Sequence, residues 1–314
     1  MMTLELDIQH ATRYVYSAAV VSAQHLAHLE PLHDEHQALL AHELSIEPVP
    51  DERQRALDAG GNAGCWFSLR HAHRELDVQA RSRVRVAPRF DGLRAHASPP
   101  WEQVAASLRY RARASFDPAV EYAQPSAHVP RLAALRDYAA SSLTPGRPLA
   151  AAAIELMRRV HADFRYASGS TQVDTPLERV LEQRQGVCQD FAHLMAGALR
   201  MHGVPVRYVS GYLLTRAPGD TAAMLGADAT HAWVQVWVPG TPGVPAEGWL
   251  DLDPTNNLVP AAGHVRLAVG RDYGDVTPLR GVIRGGGQHR LSVAVHVGVV
   301  EPSPEPALDG ATRT

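Results

Sequence analysis

The chain has 314 residues, 45% of them hydrophobic and 20% charged. These are ordinary globular proportions that exclude global disorder. Lys and Arg number 30 against 33 Asp and Glu, a net charge of −3, which speaks against non-specific nucleic-acid binding and against a polybasic membrane surface. No apolar run of about 18 residues occurs, so no transmembrane helix is expected.

Leu4, Leu6 and Ile8 alternate with polar residues, and Tyr14 and Tyr16 resume the pattern. This is the period of a half-buried strand. Glu5 and Asp7 stand where a secretory leader would carry positive charge and then an apolar run. The two cysteines, Cys65 and Cys188, are too few for a disulfide framework. A cytoplasmic location is the expectation. Asp58–Asn62 reads as a turn before a short strand around Trp66 and Phe67. Then Leu76, Val78, Ala80, Val84 and Val86 alternate with Gln79, Arg81, Arg83 and Arg85, a long strand with one wet face. Residues 1–95 thus read as a β-rich domain, and the Pro-punctuated stretch 96–130 as a junction.

Helices are predicted over 131–143, 148–164 and 175–185, the last with Thr175 as N-cap, Pro176 at N1 and Glu178 at N3. The best helix spans Cys188–His202. Phe191, Leu194, Met195, Ala198 and Leu199 form one stripe, and Gly203 is placed for C′. Strands follow over 206–215, 232–238, 249–253 and 291–299. Residues 131–300 read as one unit with C-terminal strands, and 301–314 as a flexible tail.

Cys188 opens that best helix. A helix N-terminus lowers a thiol pKa from about 8.5, and its unpaired N–H groups can receive an oxyanion. A lone cysteine more often packs in a core, so the neighbours matter. His231 begins a strand and can act as base and acid. Asp253 precedes Pro254 on the next strand and can hold the imidazole tautomer. Asp251 competes for that role from the same strand. A metal site from Cys188, His193 and His231 is unfavourable, since positions 188 and 193 point about 140° apart on a helix. No metal is expected.

GVCQDFAHLMAGALRMHGVPVRYVSGYL (186–213), HAWVQVWVPG (231–240) and GWLDLDPTNN (248–257) resemble the core of the transglutaminase-like superfamily. The likeness is strongest to its bacterial cysteine protease branch. HATRYVYSAAV, HLEPLH and DAGGN resemble the N-terminal β domain of those proteins, and 270–297 resembles their C-terminal extension. The resemblance implies an α+β fold: a papain-like transglutaminase core, with a nucleophile helix on an antiparallel sheet, preceded by an N-terminal β domain. It implies Cys188 as nucleophile, His231 as base and Asp253 as orienting carboxylate. Gln183 and Gln185 are candidates for the second oxyanion donor, and Trp233 for the core or cleft wall. Trp237 and Trp249 are expected near the same three residues.

The implied chemistry is attack on a peptide or carboxamide carbonyl through a Cys thioester, resolved by water as a protease or amidase. The alternatives are a protein-glutamine gamma-glutamyltransferase, which transfers to amines, and a non-catalytic binding module. No cofactor is implied, and the partner is a peptide or protein substrate rather than nucleic acid or membrane. The oligomeric state is left open.

Overall fold

One 24-residue strand, β1 (Leu4–Ala27), organises the N-terminal half. The computed structural model describes residues 2–113, 115–215, 224–226 and 230–300, and the expected tail 301–314 lies outside the described residues. Leu4, Leu6, Ile8, His10 and Thr12 bury one face of β1, as its alternation requires. The strand is long enough to serve two sets of partners. Its first half pairs antiparallel with β5 (His73–Val86) and its second with β4 (Ala63–Leu69), with a register shift between Val15 and Val20. β2 (Gln37–Glu47) and β3 (Glu52–Leu57) extend the sheet at its two sides. On the wet face, Asp7 and Glu5 lie directly across from Arg83 and Arg85 and bond them, cross-strand pairs that set register more than stability.

The 96–130 stretch contains α1 (Trp101–Ser107) and a 3₁₀ turn over Pro118–Ala123. After it come α2 (Ala133–Ala140), α3 (Leu149–Asp163), the two-residue strand β6 (Arg165–Tyr166), α4 (Leu177–Gln183) and its partner strand β7 (Gln185–Gly186). The capping box expected at Thr175 does not form. Pro176 is the N-cap of α4, and the Thr175 hydroxyl instead accepts from the Gln172 N–H, closing the preceding turn.

α5 (Cys188–Arg200) is central, and residues 190–200 are all buried. It packs on a four-stranded antiparallel sheet of order β10-β9-β8-β11, formed by β8 (Val206–Leu213), β9 (His231–Trp237), β10 (Trp249–Leu252) and β11 (His264–Gly270). Ala232, Val234 and Val236 of β9 share one core with α5, α3 and the first residues of β1. The chain then makes the short α6 (Tyr273–Val276), β12 (Leu279–Gly285) and β13 (His289–Val299).

The C-terminal strands were expected with the 131–300 unit. Instead β12 and β13 both pair with β1 and complete the N-terminal sheet. β5 and β4 take one edge of β1, and β12 and β13 lie along its other edge. Among the described residues no helix is long and apolar enough to cross a membrane.

Candidate active site

Cys188 stands at the first position of α5 and is partly exposed. Val187 before it is extended, so the chain enters the helix from the side. Asp190 turns back, and its Oδ2 accepts from the Val187 N–H at 2.8 Å and from the Thr171 hydroxyl at 2.6 Å. Its charge is thus spent on the helix entry. Burial raises its pKa, and those two hydrogen bonds oppose the rise.

His231 begins β9, opposite Gly211 of β8. A Cβ at Gly211 would come 2.2 Å from the Val265 carbonyl and 2.4 Å from the Trp233 ring, so only glycine admits Trp233 there. Trp233 is fully buried and stacks on His231, with ring centroids 6.1 Å apart. His231 Nε2 lies 2.9 Å from Asp253 Oδ2, with both side chains fully buried. Its other nitrogen, Nδ1, makes no hydrogen bond of normal geometry. The Cys188 thiol is nevertheless near enough to act on the ring. Such contacts often tighten only when substrate binds. Burial disfavours the imidazolium, but Asp253 and then Cys188 outweigh it and hold the His231 pKa well above the ordinary value. Asp253 is the mirror case. Burial raises its pKa, yet His231 and His264 together pull it far below the usual carboxylate range.

Five donors converge on Asp253. Oδ1 accepts from the backbone N–H groups of Thr255 (2.9 Å) and Asn256 (3.1 Å), and Oδ2 from His231, His264 Nε2 (3.1 Å) and Asn256 Nδ2 (2.9 Å). Asp251 goes elsewhere. Its carboxylate lies 3.9 Å from Arg89 Nε at the seam with the N-terminal sheet. The donor atoms of His231, Asp253 and His264 lie within 4.8 Å of one another. An Nε2–H given to the carboxylate leaves no lone pair on that nitrogen for a metal, and at Asp253 the cluster reads as a hydrogen-bonded one.

The other expected residues scatter. Gln185 Oε1 accepts from Arg165 at 2.6 Å, and Gln183 is exposed at the end of α4. Trp237 and Trp249 pair across β9 and β10, with Tyr122 packed on Trp249 and the Arg207 guanidinium 4.0 Å above it. Six residues along β9 from His231 is about 20 Å, so these two tryptophans are not beside the candidate triad. His193 Nε2 accepts from the Tyr273 N–H, and its ring stacks on His128. Burial lowers its pKa to about 3, so it packs as a neutral ring.

His264, Asn256, Tyr166 and Gly226 were missed. Gly226 has φ +81°, and a Cβ there would sit 2.9 Å from His231 Nδ1 and 3.6 Å from the Tyr166 hydroxyl. Asn256 had a signal: an Asp three residues before an Asn is an Asx-turn pattern.

The arrangement can hold a thiolate beside an imidazolium that a buried carboxylate orients. Comparison with known proteins agrees with its setting. The transglutaminase-like superfamily profile matches residues 136–254, and the bacterial transglutaminase-like N-terminal region matches 6–85. An uncharacterized protein of Mycobacterium tuberculosis is 39% identical over 284 residues, covering 88% of this chain and 86% of its own length. A protein-glutamine gamma-glutamyltransferase of Pseudomonas aeruginosa is 33% identical over 120 residues, covering 36% of this chain and 17% of its own length. A solved structure from Cytophaga hutchinsonii, named provisionally as a cysteine protease, superimposes with a TM-score of 0.70 at 19% identity, covering 98% of this chain and 94% of the other. That last likeness is one of fold. The chain belongs to the transglutaminase-like superfamily, in the bacterial group that carries the matching N-terminal region.

Proposed function

We propose that the protein is a thiol hydrolase of peptide or carboxamide bonds, with Cys188 as nucleophile, His231 as acid and base, and Asp253 as orienting carboxylate. The observation that carries this reading is the fully buried His231–Asp253 pair at 2.9 Å, with the Cys188 thiol acting on the same ring. The Cys188 thiolate attacks the carbonyl carbon and an S–C bond forms. The C–N bond breaks as the His231 imidazolium protonates the departing amine or ammonia. Water then attacks the thioester, and His231 takes its proton. The acid leaves, and the thiolate–imidazolium pair is restored. Donors for the oxyanion come from the unpaired N–H groups of the first turn of α5. The chemistry calls for no cofactor, and a free activated thiol suits a reducing compartment such as the cytoplasm.

Hydrolysis is favoured over amine transfer because Cys188 remains partly exposed, so water reaches the thioester. None of the three tryptophans expected near the site walls a dry acyl slot: Trp233 is sealed in the core, and Trp237 and Trp249 lie far along the sheet. The partial likeness to a glutamyltransferase supports transfer as the second reading. The test is product analysis by mass spectrometry, with a glutamine-containing peptide and excess primary amine. Free acid as the main product supports hydrolysis, and a dominant amine adduct reverses the choice. Neither product, with folded protein and intact Cys188, supports a binding module.

A further inference from the structure

His264 lies outside the segments that match the two family profiles, 6–85 and 136–254. Its Nε2 nevertheless stands 3.1 Å from Asp253 Oδ2, the oxygen that also accepts from His231. We propose that His264 is a positioning residue of the active site: it donates its Nε2–H to Asp253 and fixes the carboxylate in the orientation that presents His231 to Cys188. The inference rests on the thiol-enzyme reading above.

Three observations carry it. First, the donors on Oδ2 differ in rigidity. Asn256 is partly exposed, and its amide is shared with the Leu225 backbone at 2.8 and 3.3 Å. His231 is the ring whose position the carboxylate has to fix. His264 is the remaining side-chain donor on that oxygen, and it is buried. Second, its ring is locked, packed edge-on against Trp233 with centroids 5.3 Å apart and 6.2 Å from the His231 ring.

Third, the strand that carries it is clamped from outside. Gln37 pairs with both the N–H and the carbonyl of Arg266, at 2.8 Å each. Asn62 does the same to Val269, at 2.7 and 2.8 Å. Both amides are buried and come from the N-terminal region. A rigid group behind a functional side chain sets its angle, and loosening it lowers the rate without touching the reacting atoms.

The readout is the pH dependence of iodoacetamide alkylation at Cys188, followed by peptide mass on the full chain. It needs no substrate. His264→Phe keeps a packed ring and loses the donor, whereas His264→Gln keeps a donor and loses the ring. At pH 6.5 wild-type Cys188 is expected to react much faster than Cys65. In H264F alkylation of Cys188 at pH 6.5 should slow about tenfold. H264Q should stay within about twofold of wild type. If H264F does not fold, His264→Asn replaces it, an amide one methylene too short to reach Oδ2. Profiles of H264F or H264N that overlay wild type overturn the proposal, as does H264Q slowing as much as H264F. A wild-type Cys188 that reacts no faster than Cys65 would instead bring down the thiol-enzyme reading itself.

Discussion

Replacing Asp253 by Asn changes one oxygen of a buried carboxylate into an NH₂ group while keeping its shape. The Asn oxygen can still accept from the Thr255 and Asn256 backbone N–H groups, which now hold Oδ1. The NH₂ then points at His231 Nε2 and His264 Nε2, both of which donate to Asp253. Donor meets donor. His231 escapes by shifting its proton to Nδ1, which puts an N–H where the Cys188 proton must be received. Turnover should fall about 10⁴-fold, ~5.5 kcal/mol of barrier, as the equivalent change does in serine proteases. Stability should fall less, by about 1–3 kcal/mol for one poorly satisfied buried group. That is a minor part of the roughly 5–15 kcal/mol of a domain, so the variant should fold. The assay is hydrolysis of the glutamine peptide, run beside thermal melting and alkylation of Cys188 at pH 6.5. Asp251→Asn should leave turnover within a few-fold and act on stability alone, since its carboxylate serves Arg89. Full turnover in D253N, or a crippling loss in D251N, would refute the reasoning.

Iodoacetamide at pH 6.5 should label Cys188 much faster than Cys65, which is buried and receives the Arg53 guanidinium N–H at 3.3 Å; mass mapping after brief labelling checks it. Gly226→Ala should cut turnover at least tenfold, because its Cβ would stand 2.9 Å from His231 Nδ1 at a φ of +81°; the strained backbone should also lower the melting temperature modestly. Gln37→Leu should cost about 2–4 kcal/mol by stranding the Arg266 N–H and the Leu32 carbonyl, read by denaturant unfolding. In pH-dependent melting, Asp253, with its lowered pKa, contributes above about pH 3.9 and loses that contribution as pH falls through its folded value. His231, with its raised pKa, contributes below about pH 6.5 and loses it as pH rises through its folded value. The stability gap between wild type and D253N should therefore be widest between about pH 4 and 6.5.

The strands with one wet face were legible because burial printed a period of two into them, as in Leu76, Val78 and Ala80 against Arg81 and Arg83. α5 was legible from its stripe and its Gly203 stop. β11 was not, for a physical reason. All seven of its residues are buried, so His-Val-Arg-Leu-Ala-Val-Gly carries no alternation to read. Missing β11 meant missing His264. The choice between Asp251 and Asp253 could not come from period either, since two positions on one strand share a face. Contacts separate them: one carboxylate meets Arg89 and the other His231. Upstream spacing likewise says nothing of Arg165, which engages Gln185 Oε1.

The N-terminal sheet acquires a role from the same contacts. β11 is an edge strand of the four-stranded sheet, and an edge presents N–H and C=O groups that must find partners. Another strand would close that edge along its length. Here two side-chain amides, Gln37 and Asn62, close it at Arg266 and Val269, and Leu32 adds its own N–H to the Arg266 carbonyl. Leu32 also packs against the cluster of Trp233, Val209 and Val269 behind His231 and His264. The register of β11, and with it the height of His264 beside Asp253, is thus set by residues that precede Cys188 by more than 100 positions. A core cut free of residues 1–95 would leave these backbone groups open and Trp233 without its cover. It should lose the geometry of the Asp253 cluster before it loses α5, whose contacts lie mostly with α2, α3 and β9.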